Sequence, residues 1–216
     1  MTKHHWKCQQ QCCQLEHFYP MLKNTKELWV QTGSIGSLKD NRRFIPVHDI
    51  VSSIDPVVTG ILPVVHALSR CDSTSSFFGI GKKSVFNLLR LKPSRFSNLV
   101  ALTQDDVDSA VVAAREFVAA LYDSKYKFKK CHNDLNLLRH QLAINKDKSL
   151  IKLPPCESVF KQHVLRAIWQ SKVWVSANLA NPNNGSPCAF GWKTAQHDKL
   201  EPSVSADIAD DTDEIS

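Results

Sequence analysis

The spacing of apolar positions along the chain predicts its elements. In "ELWVQTG", Leu28 and Val30 alternate with Trp29 and Gln31 until Gly33 ends the run, which predicts a strand around 28–31. A polar, turn-rich loop, "SIGSLKDNRR", follows. Phe44 and Ile45 extend a second strand around 43–47, interrupted at Pro46, and "VHDIVSSI" reads as a short helix. Ile61, Val64, Val65 and Leu68 have helical spacing, so a helix is expected to open after Gly60 with Pro63 in its first turn. "KKSVFNLLRLK" is a basic helix with Val85, Leu88 and Leu89 on one side, broken by Pro93. "TQDDVDSAVVAAREFVAALY" is the clearest helix, with the stripe Val107, Val111, Ala114, Val118 and Leu121 and a capping box from Thr103 to Asp106. "NDLNLLRHQLA" is a further helix with Asn133 as its cap, and "LPP" at 153–155 opens a last long one that runs through "SVFKQHVLRAIWQSKVWVSANL". The pattern predicts an α/β chain: a small sheet packed by helices, then a mostly helical region.

Composition leaves that picture standing. At 43% hydrophobic and 22% charged over 216 residues, the chain is ordinary for a folded domain. Charge changes the picture more. The net is +6, but six of the 21 acids (Glu201, Asp207, Asp210, Asp211, Asp213 and Glu214) fall in residues 201–216, which read as a disordered acidic tail. The rest carries all 27 Lys and Arg against the other 15 acids, a net of +12 that suits a polyanionic partner. The seven cysteines are odd in number and include no C-x-x-C pair, against a disulfide scaffold and a zinc ribbon. The cluster His4, His5, Cys8, Cys12 and Cys13 matches no standard zinc spacing. Reduced thiols, no signal-peptide core and no membrane span lead to the expectation of an intracellular protein, nuclear or cytoplasmic.

The candidate chemistry sits in "CDSTSSFFGIGKKSVFNLLR", residues 71–90. Gly79 and Gly81 let the backbone turn tightly and let a ligand approach without a Cβ in the way. The amides there point out from the start of the next helix, an anion site that the helix dipole strengthens. Lys82 and Lys83 add positive charge, and Ile80 is expected to pack inward and clamp the two flanking helices. A helix-hairpin-helix element grips a DNA phosphate backbone in this way, without reading bases. The bland alternative is a plain helix corner with solvated lysines. The segment is neither a dinucleotide fingerprint nor a Walker loop.

"ALSRCDSTSSFFGIGKKSV" resembles the flap-endonuclease branch of the PIN-like nucleases, which carry a Gly-Cys-Asp-Tyr run followed by Gly-h-Gly-x-Lys-x-Ala, where h is a hydrophobic residue. Arg70-Cys71-Asp72-Ser73 stands for the first element and Gly79-Ile80-Gly81-Lys82-Lys83-Ser84 for the second. The chain is more similar still to a group of uncharacterised, multicopy animal proteins, over "ELWVQTG…RRFIPVHDI", "LPVVHALSRCDSTSSFFGIGKK", "LPPCESVFKQHVLRAIWQSKVW" and "FGW", roughly residues 17–200. The resemblance implies a partial PIN-like domain over 17–100 with a remnant sheet and the Gly-Ile-Gly-Lys turn. It implies a helical extension over 101–200, an atypical N-terminal segment over 1–16 and the tail over 201–216. It also implies that Asp72 is a carboxylate of a Mg²⁺ site and that Gly79, Ile80, Gly81, Lys82 and Lys83 form a clamp on duplex DNA. Read alone, Asp72 serves equally as an Asx-turn or helix-cap residue.

The sequence departs from the pattern upstream. Relatives place an Asp-x-Asp strand before the equivalent of "HFYPML"; here "MTKHHWKCQQQCCQ" holds no Asp or Glu, and Glu16 is the first acid. Two-metal phosphodiester cleavage needs several converging carboxylates. Asp40, Asp49 and Asp55 match no motif and read as turn residues. The chain therefore reads as a DNA-backbone-binding remnant of a flap-endonuclease-like nuclease, catalytically inactive as it stands. One alternative is an active Mg²⁺-dependent structure-specific nuclease completed by missing or partner residues. Another is a helical protein-interaction domain without nucleic acid. His48 and His66 read as core or surface residues rather than acid–base groups for Asp49 or Asp72, and no serine elbow occurs. "KYKFKK" at 125–130 reads first as a solvated linker and second as a phosphate-facing loop, and Trp169 and Trp174 read as core.

Overall fold

The computed structural model describes residues 10–33, 42–146 and 149–203; His4, His5, Cys8, Asp40 and the acids from Asp207 onward lie outside the described residues. The chain is mostly helical, 61%, with two small antiparallel sheets. Its elements are α1 (Gln10–Phe18), β1 (Trp29–Thr32), β2 (Arg43–Pro46), α2 (Val47–Ser52), α3 (Pro56–Ser69), α4 (Lys82–Leu91), α5 (Val107–Tyr122), α6 (Leu135–Lys146), α7 (Glu157–Val175), β3 (Trp192–Thr194) and β4 (Leu200–Pro202), with a 3₁₀ stretch over Pro93–Thr103. Among the described residues no helix is long and apolar enough to cross a membrane.

Helix α3 is the axis of the fold. Eleven of its 14 residues are buried, so it is wrapped on all sides rather than amphipathic. Helix α1, the 3₁₀ stretch and α7 pack around it. The helix opens at Pro56, not after Gly60, because Asp55 caps it. The Asp55 carboxylate accepts the Val57 amide at 2.9 Å, and Pro56 in the first position needs no N–H partner. Pro63 thus lies inside the helix, not in its first turn.

Capping also moves two other helix starts. Asp106, not a Thr103 box, accepts the Ser109 amide at the head of α5. Asp134, not Asn133, accepts the amides of Asn136 and Leu137 at the head of α6. Helix α7 begins at Glu157, past "LPP", and Glu157 ties three helices together. Its carboxylate takes both arms of Arg115 on α5, at 2.8 and 3.0 Å, and the Leu135 amide on α6 at 2.7 Å.

The hairpin of β1 and β2 forms as the alternation predicts, with Val30 opposite Ile45 and Gln31 opposite Phe44. It lies outside the helical core: Trp29 and Phe44 are half exposed. His48 fastens it, with Nδ1 at 3.1 Å from the Leu28 carbonyl oxygen and 3.2 Å from the Leu28 amide. The second sheet is a departure from the expected helical extension and tail. Gly191, at φ +75°, ends a short 3₁₀ turn and starts β3, and β4 takes Glu201 into a paired strand. Arg166 of α7 donates to the Gly191 carbonyl at 3.2 Å and holds this hairpin down. Residues on both sides of position 100, from Ile54 to Trp174, join one buried apolar cluster. The N-terminal segment is drawn in as well: Cys12, Cys13 and Glu16 of α1 are buried.

Candidate nucleic-acid interface

The corner between α3 and α4 is built from its sequence in three steps. Helix α3 ends at Ser69, and Arg70 leaves it at φ +149°, which L-residues rarely adopt. Cys71 to Thr74 then close a turn: the Cys71 amide donates to Thr74 Oγ1 at 3.1 Å, and Thr74 Oγ1 donates to the Ala67 carbonyl at 2.5 Å. Ser73 donates to Gln170 of α7 at 2.6 Å. Phe77 is the hydrophobic anchor, packed against His163 and Tyr122 at ring distances of 4.9 and 6.3 Å. A second turn follows, closed by the Ile80 amide on the Phe77 carbonyl at 3.1 Å. Gly79 takes the left-handed position there at φ +74°, which requires glycine. Ile80 packs against the core, as its place between the glycines predicts.

Gly81 is the N-cap of α4, extended at φ −90° and ψ 162°. Both glycines stand in open space: a Cβ on either would meet nothing within 4 Å. The first amides of a helix have no intrahelical acceptor. In α4 the Ser84 amide turns to the Gly81 carbonyl at 2.9 Å, and those of Lys82 and Lys83 carry no side-chain cap, with no acid in the first turn. They border a shallow depression of about 310 Å³ whose rim includes Arg70, Ser76 and Phe78.

The two lysines of "GKK" have different fates. Lys83 is exposed. Lys82 turns back onto the end of α3, where its ammonium donates to the His66 carbonyl at 3.0 Å, Ser69 Oγ at 2.8 Å and the Arg70 carbonyl at 2.7 Å. It neutralises the exposed carbonyl end of one helix at the head of the next. Burial pulls its pKa down to about 8, with the Cys13 and Cys71 thiols pulling the other way. Lys82 is therefore the lock of the corner, while Lys83 and, on the rim, Arg70 are its exposed cations. His66 lies behind the lock, buried against Trp174 at a ring distance of 5.4 Å and with Cys13 Sγ 3.8 Å from Nδ1. Burial first, and the Lys82 charge second, push its pKa down to about 4, so it is neutral at pH 7.

Asp72 sits exposed at the tip of the Cys71–Thr74 turn, which closes without its carboxylate and caps no helix. Among the described residues no three of His, Cys, Asp or Glu converge on a common point. One exposed carboxylate does not fit a pair of Mg²⁺ ions. Asp55 is spent as a cap, and Asp49 lies 3.7 Å from His48. Trp174 is buried as expected, and Trp169 is half-buried.

Sequence reasoning missed one organised polar centre. Asp123 is fully buried and accepts the amides of Lys127 at 3.1 Å and Phe128 at 2.8 Å, with His132 Nε2 at 3.1 Å. The signal was present in the spacing of an acid just before a basic loop and a histidine just after it. Comparison with family models, with curated proteins and with solved structures finds no match.

Proposed function

We propose that this protein binds the phosphate backbone of nucleic acid, duplex DNA first among them, at the open corner formed by Gly79, Ile80, Gly81 and the head of α4. The carrying observation is the empty space over both glycines, which leaves the first amides of a basic helix accessible to a phosphate. Lys83 supplies the mobile charge; Ile80 and Lys82 hold the corner in shape. The resemblance to flap-endonuclease-like PIN nucleases supports the same reading, with the chain acting as a binding remnant and Asp72 carrying no catalytic step. Contacts made through amides and ammonium groups carry no base information, so binding is sequence-independent and salt-sensitive.

The test is fluorescence anisotropy of a labelled duplex titrated with protein at several salt concentrations. The wild type binds at about 50 mM salt and weakens steeply by about 200 mM. Lys83→Glu weakens binding at least about tenfold at low salt. Equal binding by Lys83→Glu, or no binding by the wild type at low salt, rejects the proposal.

A further inference from the structure

The loop that joins α5 to α6 carries Lys125, Lys127, Lys129 and Lys130, all exposed. Of its two acids, Asp123 is turned wholly inward and Asp134, at its far end, caps α6. The buried carboxylate holds the loop by the amides of Lys127 and Phe128, and the Asp123 carbonyl takes the Tyr126 amide at 2.8 Å. His132 closes the far end against the same carboxylate. Tyr126 is fixed at φ +52°, a conformation that a non-glycine residue keeps only where its surroundings determine it. The four ammonium groups thus project from a backbone already set in one shape, unlike the cations of a free linker.

The aromatic residues of "KYKFKK" do not offer their faces to bases. Phe128 packs against the core. Tyr126 lies beneath Arg95, whose guanidinium carbon is 4.3 Å from the ring centroid, and beside Lys92, whose Nζ is 5.6 Å away. Arg95 is itself paired with Glu116 at 3.0 Å. With its rings engaged, the loop presents charge and no stacking platform, which suits phosphates on a duplex rather than unstacked bases.

Position gives the loop its partner. Lys92 is the C-cap of α4, the helix whose N-terminus is the open glycine corner. Ten helical residues rise about 15 Å, which corresponds to about four base pairs along a duplex axis. Lys83, Asn87 and Arg90 are spaced four and three apart, so they share one face of α4, and all three are exposed. Along the helix axis the stripe leads from the corner to the end of α4 that bears Lys92, whose Nζ reaches Tyr126 of the loop.

We infer that the Asp123-organised loop Lys125–Lys130 is a second phosphate-binding element, joined to the glycine corner by the polar face of α4, so that the protein holds a duplex backbone at two points. This rests on the reading of the glycine corner as a backbone clamp, and the two are separable by experiment. The full chain carrying Lys125→Ala, Lys127→Ala, Lys129→Ala and Lys130→Ala together is compared with Lys83→Glu and wild type for duplex affinity as a function of salt. A parallel set with arginine at the four loop positions controls for folding, together with circular dichroism.

Each phosphate contact removed lowers the slope of log affinity on log salt by about 0.9, so the loop variant is expected to lose about 2 to 4 in slope. It also weakens at least about tenfold at about 0.1 M salt, while the arginine set binds as wild type. If the loop variant keeps the wild-type slope while Lys83→Glu weakens, this inference is overturned and the corner stands. If the loop variant weakens and Lys83→Glu does not, the loop is a contact and the corner is not. If the wild type binds no duplex, or binds single strands more tightly than a duplex of the same length, the inference fails.

Discussion

Replacing Lys82 with methionine separates the lock of the corner from its cation. The side chain keeps its length and loses its ammonium, so three donors disappear from the His66 carbonyl, Ser69 Oγ and the Arg70 carbonyl. At about 1.5 kcal/mol for each charge-assisted bond, these contribute about 4 to 5 kcal/mol. Burial opposes them, as the pKa drawn from 10.5 down to about 8 shows, so most of that sum is cancelled. The balance is a destabilisation of about 1 to 2 kcal/mol for Lys82→Met. For a chain of this size that lowers Tm by about 2 to 8 °C. The assay is urea and thermal unfolding followed by far-UV circular dichroism at pH 7, where the lysine is charged, with duplex affinity measured in parallel. Because Lys82 faces α3, Lys82→Met retains duplex binding within about threefold, against the loss of about tenfold or more in Lys83→Glu. A variant as stable as the wild type would show that desolvation outweighs the three bonds. A stable variant that loses binding as fully as Lys83→Glu would place Lys82 on the phosphate and refute its role as the lock.

Other outcomes follow from single sites. Burial lifts the Glu16 pKa from 4.5 to about 7, so the folded state holds a proton that the unfolded chain releases. The stability this gives is complete below about pH 4.5 and falls as pH rises through 7, by about 3 kcal/mol in all; Glu16→Gln flattens that profile in denaturation measured from pH 4 to 8. Asp123→Asn leaves at least one loop amide without its acceptor and costs about 2 to 3 kcal/mol in urea unfolding, and an unchanged midpoint would deny the carboxylate its organising role. Gly191→Ala sets a Cβ 2.9 Å from Gln162 Oε1 and 3.1 Å from the Gln162 carbonyl oxygen at φ +75°. It costs about 1 to 3 kcal/mol, and wild-type stability would mean that the hairpin moves freely off α7.

Much of this fold was legible in the alternation and spacing of apolar residues. Val30 and Ile45 sit in the strands their period predicts, and Val85 and Leu89 sit inward on α4. Helix starts were less legible, because Asp105 and Thr103 compete with Asp106 at α5 and Asn133 competes with Asp134 at α6, and only geometry selects the cap; Asp55 took that place at α3. At the corner, the glycine spacing disclosed the turn, but "GKK" does not say which lysine is free. Helical side chains lean toward the N-terminus, so the first residue of α4 reaches back over the end of α3. Lys82 is that residue, and Lys83, one position on, points away from it. The second sheet escaped notice because its strands are three residues long, and pairing between Trp192–Thr194 and Leu200–Pro202 depends on Gly191 and Arg166 rather than on a hydrophobic run.

Gly81→Asp tests the clamp most directly, because it drives stability and binding in opposite directions. The extended N-cap geometry at φ −90° and ψ 162° accepts aspartate, and its Cβ meets nothing within 4 Å. The carboxylate caps the first amides of α4, so stability stays level or rises by a few tenths to about 1 kcal/mol. The same carboxylate occupies the place proposed for a phosphate, so duplex affinity falls at least about tenfold and the salt slope drops by about 1. A folded Gly81→Asp protein that binds duplex with wild-type affinity and slope would contradict the account.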